Sequence, residues 1–116
     1  MRLQVSDLIG EWRGEGPDKR MVSFIFREDG SVVWTVEAQQ WAMDPNARYE
    51  IRETWPFWGL DVFDFVDFRL QDITFMGIIQ PIDQRTFKMQ AMPSNHGGRP
   101  VDFDKEAIVF RKLTPN

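Results

Sequence analysis

The chain has 116 residues and 42% hydrophobic side chains, which is the size and composition of one globular unit, so we predict a single domain spanning residues 1–116. Its formal net charge of −4, with Lys and Arg scattered singly along the sequence, argues against nucleic acid as a partner. The absence of cysteine excludes disulfides and thiolate metal sites.

The first predicted element is one helical turn in VSDLIG, residues 5–10. Ser6 is the expected N-cap, because a hydroxyl can accept a hydrogen bond from the first free backbone amides, and Gly10 is the expected stop. A short first strand is predicted over Leu8–Arg13.

The next segment has the most regular pattern in the chain. Apolar residues occupy every second position on both sides of the pair Asp29-Gly30, namely Val22, Phe24, Phe26, Val32, Trp34 and Val36. Alternation with period two is typical of strands with one buried face, and Asp-Gly is a strong signal for a tight turn. The pattern predicts an antiparallel hairpin with one apolar face.

Further strands are predicted where apolar alternation is bounded by Pro, Gly, Asp or Asn: 47–55, Leu60–Phe65, Ile73–Gln80, Thr86–Met92 and Ala107–Lys112. In the first of them, Tyr49, Ile51 and Trp55 lie on one side. About eight short strands with turns at ~8 to 12 residue intervals indicate an all-β sandwich or barrel. Because the strands follow one another as hairpins, we predict an antiparallel up-and-down β-barrel of about eight strands.

The segment GLDVFDFVDF, residues 59–68, is apolar on both faces. Simple alternation places Leu60 and Val62 on one side, with Asp61, Phe63 and Phe65 on the other. Because a monomer rarely leaves a large apolar patch in water, we expect the outer face of residues 60–68 to contact a second subunit or a partner protein.

The segment LIGEWRG, residues 8–14, resembles the Gly-x-Trp opening of the lipocalins and their calycin relatives. An ordered series along most of the chain is similar to small bacterial lipocalin-like proteins: Gly10 with Trp12, Asp29 with Gly30, Tyr49 with Ile51, Gly77 with Ile78, and Arg99-Pro100 with Phe103. The resemblance implies a lipocalin-like barrel in which Trp12 plugs the closed end and Arg111, from the last strand, covers its ring.

In an up-and-down barrel, loops after odd-numbered strands share one end, and here these are the long ones. Long loops on a rigid scaffold commonly carry recognition, so we predict a ligand site at this mouth. The predicted ligand-binding residues are Trp34, Trp41, Tyr49, Arg69, Met89 and Arg99. Cationic groups at the rim would suit an apolar ligand with one acidic group. Whether the interior holds a cavity or is filled by side chains is left open.

Groups for catalysis and metal binding are sparse. His96 is the single histidine, and no Ser or Thr lies in a nucleophile motif, so we expect no enzyme activity, no metal and no cofactor. No segment has the length of a membrane span or of a signal-peptide core, and we expect a cytoplasmic protein. The first hypothesis is a barrel that binds a small hydrophobic or amphipathic ligand. The alternative is a protein-interaction or inhibitor-type barrel acting through the mouth loops or the outer face of residues 60–68, including as a homodimer.

Overall fold

The computed structural model describes residues 4–37, 47–65 and 70–113. Its elements are α1 Val5–Leu8, β1 Gly10–Glu15, β2 Met21–Phe26, β3 Ser31–Val36, β4 Ala47–Arg52, β5 Trp58–Phe63, β6 Phe75–Asp83, β7 Thr86–Pro93, a 3₁₀ turn Ser94–His96 and β8 Ile108–Lys112. Each strand pairs antiparallel with its sequence neighbours, and β8 pairs with β1. The predicted closed up-and-down β-barrel of eight strands is therefore confirmed. No helix within these ranges has the length and apolar character needed to cross a lipid bilayer.

The β2–β3 hairpin forms as the Asp-Gly pair predicts. Gly30 has a φ of +90°, which a residue without a side chain adopts readily. The carboxylate of Asp29 accepts hydrogen bonds from the backbone amide of Ser31 at 2.9 Å and from its hydroxyl at 2.6 Å. These bonds hold the turn, and they lower the pKa of Asp29.

The barrel interior is built from the alternate residues of each strand. Phe26, Val32, Leu60, Ile79 and Phe110 are each at most 1% exposed. Aromatic rings connect neighbouring strands. The rings of Phe110 on β8 and Phe87 on β7, for example, are stacked with their centroids 5.2 Å apart. Burial alternates with period two along β1, β2 and the start of β4, which is why the sequence pattern predicts these strands correctly. In β5 and β6, consecutive residues are buried.

The two barrel ends differ. We call the end at which β1, β3, β5 and β7 finish the long-loop end, and the other the short-loop end. Helix α1 enters β1 at the short-loop end and forms a floor with Trp12. The Trp12 side chain is 2% exposed, its Nε1 donates a hydrogen bond to the carbonyl of Leu8 at 2.8 Å, and its ring lies 4.6 Å from that of Phe87. The expectation that Trp12 is buried at the floor is confirmed.

The cation over Trp12 is not the expected one. Lys112 Nζ lies 5.7 Å from the Trp12 ring centroid, whereas Arg111 is exposed and pairs across the sheet with Arg13. Since Phe110 points into the core, strand alternation turns Arg111 outward and Lys112 inward. The prediction that Arg111 covers Trp12 is wrong by one residue.

The segment after β5 departs from simple alternation. Asp64 has a φ of +66°, in the left-handed region, and this kink turns Phe65 back into the barrel. Phe65 is 4% exposed, and its ring centroid lies 5.7 Å from that of Phe75. Simple alternation puts Phe65 on the same side of the strand as Asp61, and the structure differs from this.

Some element ends also differ from the prediction. The N-cap of α1 is Gln4 instead of Ser6, with Asp7 accepting a hydrogen bond from the Gln4 amide at 2.8 Å. Strand β4 ends at Arg52, so Trp55 leaves the inward row and is 92% exposed. The alternating pattern continues to Trp55, but the chain turns after Arg52 and the strand ends there.

Candidate functional site

A cavity of about 390 Å³ lies inside the barrel towards the long-loop end. Its volume falls in the range of about 300 to 1,000 Å³ that is usual for small-molecule sites. The wall is mostly aromatic and aliphatic, and it includes Phe24, Trp34, Phe75, Met89 and Phe110. The described interior is thus packed at the floor and open towards the mouth.

Trp34 stands at the centre of the aromatic wall. It lies opposite Phe24 in the β2–β3 register, and the two rings are stacked with centroids 6.1 Å apart. The Phe75 ring meets Trp34 edge-on at 4.7 Å. The strands β2, β3 and β6 bring these three rings together, and the ring contacts form one continuous wall before any ligand binds.

Met89 provides a flexible part of the same wall. It lies on β7 between Ile79 and Ile108 in the sheet register and is 5% exposed. Its unbranched thioether adapts to irregular shapes. The structure therefore brings Trp34 and Met89 together at one cavity, while their roles in binding a ligand stay predictions.

Tyr49 lies away from the cavity lining. Its hydroxyl donates a hydrogen bond to the carbonyl of Arg27 at 2.9 Å, and its ring meets Phe26 at 4.8 Å. Burial, and to a lesser degree the charge of Asp29, raises the pKa of Tyr49 above its ordinary value. Tyr49 thus supports the β2–β3 turn.

Arg99 packs on the outside of the barrel, and its expected place at the rim is wrong. Its Nη1 donates a hydrogen bond to the carbonyl of Gly77 at 2.8 Å, and its Nη2 lies 2.8 Å from Asp61 Oδ1. Gly59 leaves the space for the guanidinium, because a Cβ there would lie only 2.6 Å from Nη1. Asp61 is 3% exposed and also accepts a hydrogen bond from Arg52 Nε at 2.7 Å.

We call residues 97–107 the strap, because this segment runs back over the outer face of β5 to β7. The Phe103 ring lies 4.7 Å from Phe57 and carries Lys88 Nζ 4.6 Å above it. The Asp104 amide donates to the buried Gln90 side chain at 2.9 Å. The strap thus covers part of the outer wall that the sequence assigned to a partner, and a homodimer stays an untested prediction.

Two of the predicted binding residues, Trp41 and Arg69, lie outside the described residues. His96 is exposed in the 3₁₀ turn after β7. Within the described ranges, no three His, Cys, Asp or Glu side chains are grouped as a metal site requires.

The charged groups of the cavity were missed by the sequence analysis. Asp18, in the β1–β2 loop, and Glu106, just before β8, both belong to the cavity lining. Asp18 lies 3.5 Å from Arg20, with both side chains substantially exposed. The strand order could have indicated them, because both loops lie at the long-loop end. The sequence analysis instead expected Arg side chains at this rim.

A second, smaller cavity of about 260 Å³ lies at the short-loop end, between α1 and the β6–β7 turn. Asp7, Asp83 and Lys112 are among its lining residues. Its lining carries charges of both signs, which favours a hydrated cleft. The mouth cavity is therefore the candidate site.

The chain was compared with protein-family models, curated proteins and solved structures. None of these matches the chain. The closed eight-stranded barrel is consistent with a calycin-like fold.

Proposed function

We propose that this chain is a lipocalin-like barrel that binds a small hydrophobic or amphipathic molecule in the mouth cavity and catalyses no reaction. The observation that carries the proposal is the cavity of about 390 Å³ between Trp34, Phe75 and Met89. The sequence resemblance to the lipocalins supports it, because a barrel with a packed floor and an open interior is suited to holding a small ligand.

The aromatic wall supplies the binding energy in this proposal. A ligand that enters replaces water against Phe24, Trp34 and Phe110, and removing apolar surface from water contributes about 25 cal/mol per Å². Since these rings are held by the sheet and by one another, little side-chain freedom is lost on binding.

A neutral aromatic probe, 1-naphthalenemethanol, tests the proposal by isothermal titration calorimetry. We expect one site per chain with a dissociation constant on the order of 0.1 mM, as for a compact ligand of this size. Absence of saturable binding at millimolar probe would contradict the proposal.

Neighbouring residues of β8 provide matched variants. Ile108 lines the cavity, whereas Val109 points outward and is 40% exposed. Ile108→Trp should fill the cavity and weaken probe binding at least tenfold, and Val109→Trp should bind as the wild type does. Circular dichroism melting of both variants checks that they fold. Equal binding by the two variants would place the probe elsewhere.

A further inference from the structure

We infer that the ligand carries a cationic group, so that the cavity prefers a protonated amine over an alcohol or a carboxylate with the same apolar body. The inference rests on the proposed function and adds the charge of the ligand to it. It reverses the expectation, drawn from Arg69 and Arg99, that the ligand is acidic.

The charges at the cavity point to a cation. Among the described residues that line it, the ionised side chains are the carboxylates of Asp18 and Glu106, which come from two different loops. No described Lys or Arg forms an ion pair with Glu106. Among the described residues, Asp18 pairs with Arg20, whose guanidinium lies at 3.5 Å with 43% of the Arg20 and 60% of the Asp18 side chain exposed, and whose backbone amide donates to Asp18 at 3.1 Å. Ion pairs this exposed are weak. The described lining therefore presents net negative charge.

The aromatic rings of the lining also favour a cationic group on the ligand, for a separate reason. Phe24, Trp34, Phe75 and Phe110 all line the cavity. The face of an aromatic ring is negative, so it attracts a cation and disfavours a carboxylate. An aromatic lining with carboxylates at its edge thus favours an ammonium group over a carboxylate on the ligand.

The cations that adjoin the two carboxylates in sequence, Lys19, Arg20 and Lys105, are exposed and are not part of the cavity lining. Three other described cations are engaged away from the cavity. Arg99 binds Asp61 and the Gly77 carbonyl on the outer wall. Lys88 lies over Phe103, also outside the barrel, and Lys112 lies over Trp12 at the floor. In the described part of the chain, a carboxylate in the cavity would therefore meet no cationic partner along the lining.

Three probes with one naphthyl body and different charge test the inference: 1-naphthylmethylamine, 1-naphthalenemethanol and 1-naphthylacetate. At pH 7 and low salt, titration calorimetry should show the amine binding about five- to thirtyfold more tightly than the alcohol. The carboxylate should bind most weakly. Added sodium chloride should weaken the amine more than the alcohol, because salt screens charges near solvent.

The variant Glu106→Gln should bring the affinity ratio of amine to alcohol towards one. Glu28→Gln is its control, since it removes the same charge from an exposed residue of the β2–β3 turn at the short-loop end, and it should keep the wild-type ratio. Equal binding of amine and alcohol, or tighter binding of the carboxylate, overturns the inference while leaving the proposed function intact. Failure of all three probes to bind overturns the proposed function, and the inference falls with it.

Discussion

Truncation of Trp12 should destabilise the whole fold, because its ring forms the floor of the barrel. The side chain is 2% exposed and contacts Phe87 at 4.6 Å. Replacing a buried Trp by Ala typically costs about 3 to 5 kcal/mol, a large share of a domain's ~5 to 15 kcal/mol. At about 4 °C per kcal/mol, we expect Trp12→Ala to lower the melting temperature by about 12 to 20 °C.

A milder substitution separates the ring from its hydrogen bond. Trp12→Phe keeps an aromatic ring but leaves the Leu8 carbonyl without the indole N–H that it accepts at 2.8 Å, which should cost about 1 to 3 kcal/mol. The matched control is Trp55→Ala, since Trp55 is 92% exposed and its truncation should change stability by less than about 0.5 kcal/mol. Urea unfolding followed by circular dichroism measures all three variants. The reasoning is refuted if Trp12→Ala melts with the wild type, or if Trp55→Ala costs as much as Trp12→Ala.

Three further predictions concern the strap and the β2–β3 turn. Arg99→Ala should cost about 1 to 3 kcal/mol in urea unfolding, because it removes a guanidinium from the buried Asp61 carboxylate; an unchanged midpoint would show that the strap contributes nothing. Gly59→Ala should displace the same guanidinium, so its cost and that of Arg99→Ala should not add in the double variant, and strict additivity would argue against the contact. Tyr49 is the sole tyrosine, and its pKa is raised in the folded state. Its contribution to the free energy of unfolding is therefore fully present below the ordinary tyrosine pKa of about 10, and it is lost as the pH rises through the pKa of the folded state. Wild-type stability should thus fall more steeply than that of Tyr49→Phe as the pH rises above about 10, and parallel curves would contradict this.

The barrel could be predicted because alternation is a local property. Val22, Phe24 and Phe26 are buried on one strand as their spacing indicates, and β1 and the start of β4 follow the same rule. Applied strictly, it also places Lys112 inward beside Phe110. The family resemblance points to Arg111 as the residue over Trp12, whereas the strand period points to Lys112, which is the residue observed there.

The path of the longest loop could not be predicted from the sequence. Arg99 belongs to a segment that joins two strands at the mouth, and nothing in its local pattern indicates that it returns along the outer wall to Asp61. The long-range contact depends on the missing side chain at Gly59 and on the Gly77 carbonyl, which accepts a hydrogen bond from Arg99. These residues are about 20 to 40 positions away, beyond the reach of periodicity arguments.

The direction of the Phe65 side chain could not be predicted either, because the backbone kinks at Asp64. A left-handed residue at this position shifts the facing of Phe65, whereas an alternation pattern assumes an uninterrupted strand. The same stretch is therefore one wall of the core through Leu60, Val62 and Phe65, and an anchor for the strap through Asp61.

The most direct test of the proposed site is the methyl NMR spectrum of ¹³C-methyl-methionine protein titrated with 1-naphthalenemethanol. Met89 lines the cavity, whereas Met76 pairs with Asp61 on the outward row of β6 and Met21 is an exposed residue at the start of β2. A bound naphthyl ring should shift the Met89 methyl resonance through its ring current and leave those of Met21 and Met76 in place. A Met89 resonance that does not move when the probe binds would contradict a ligand site in the mouth cavity.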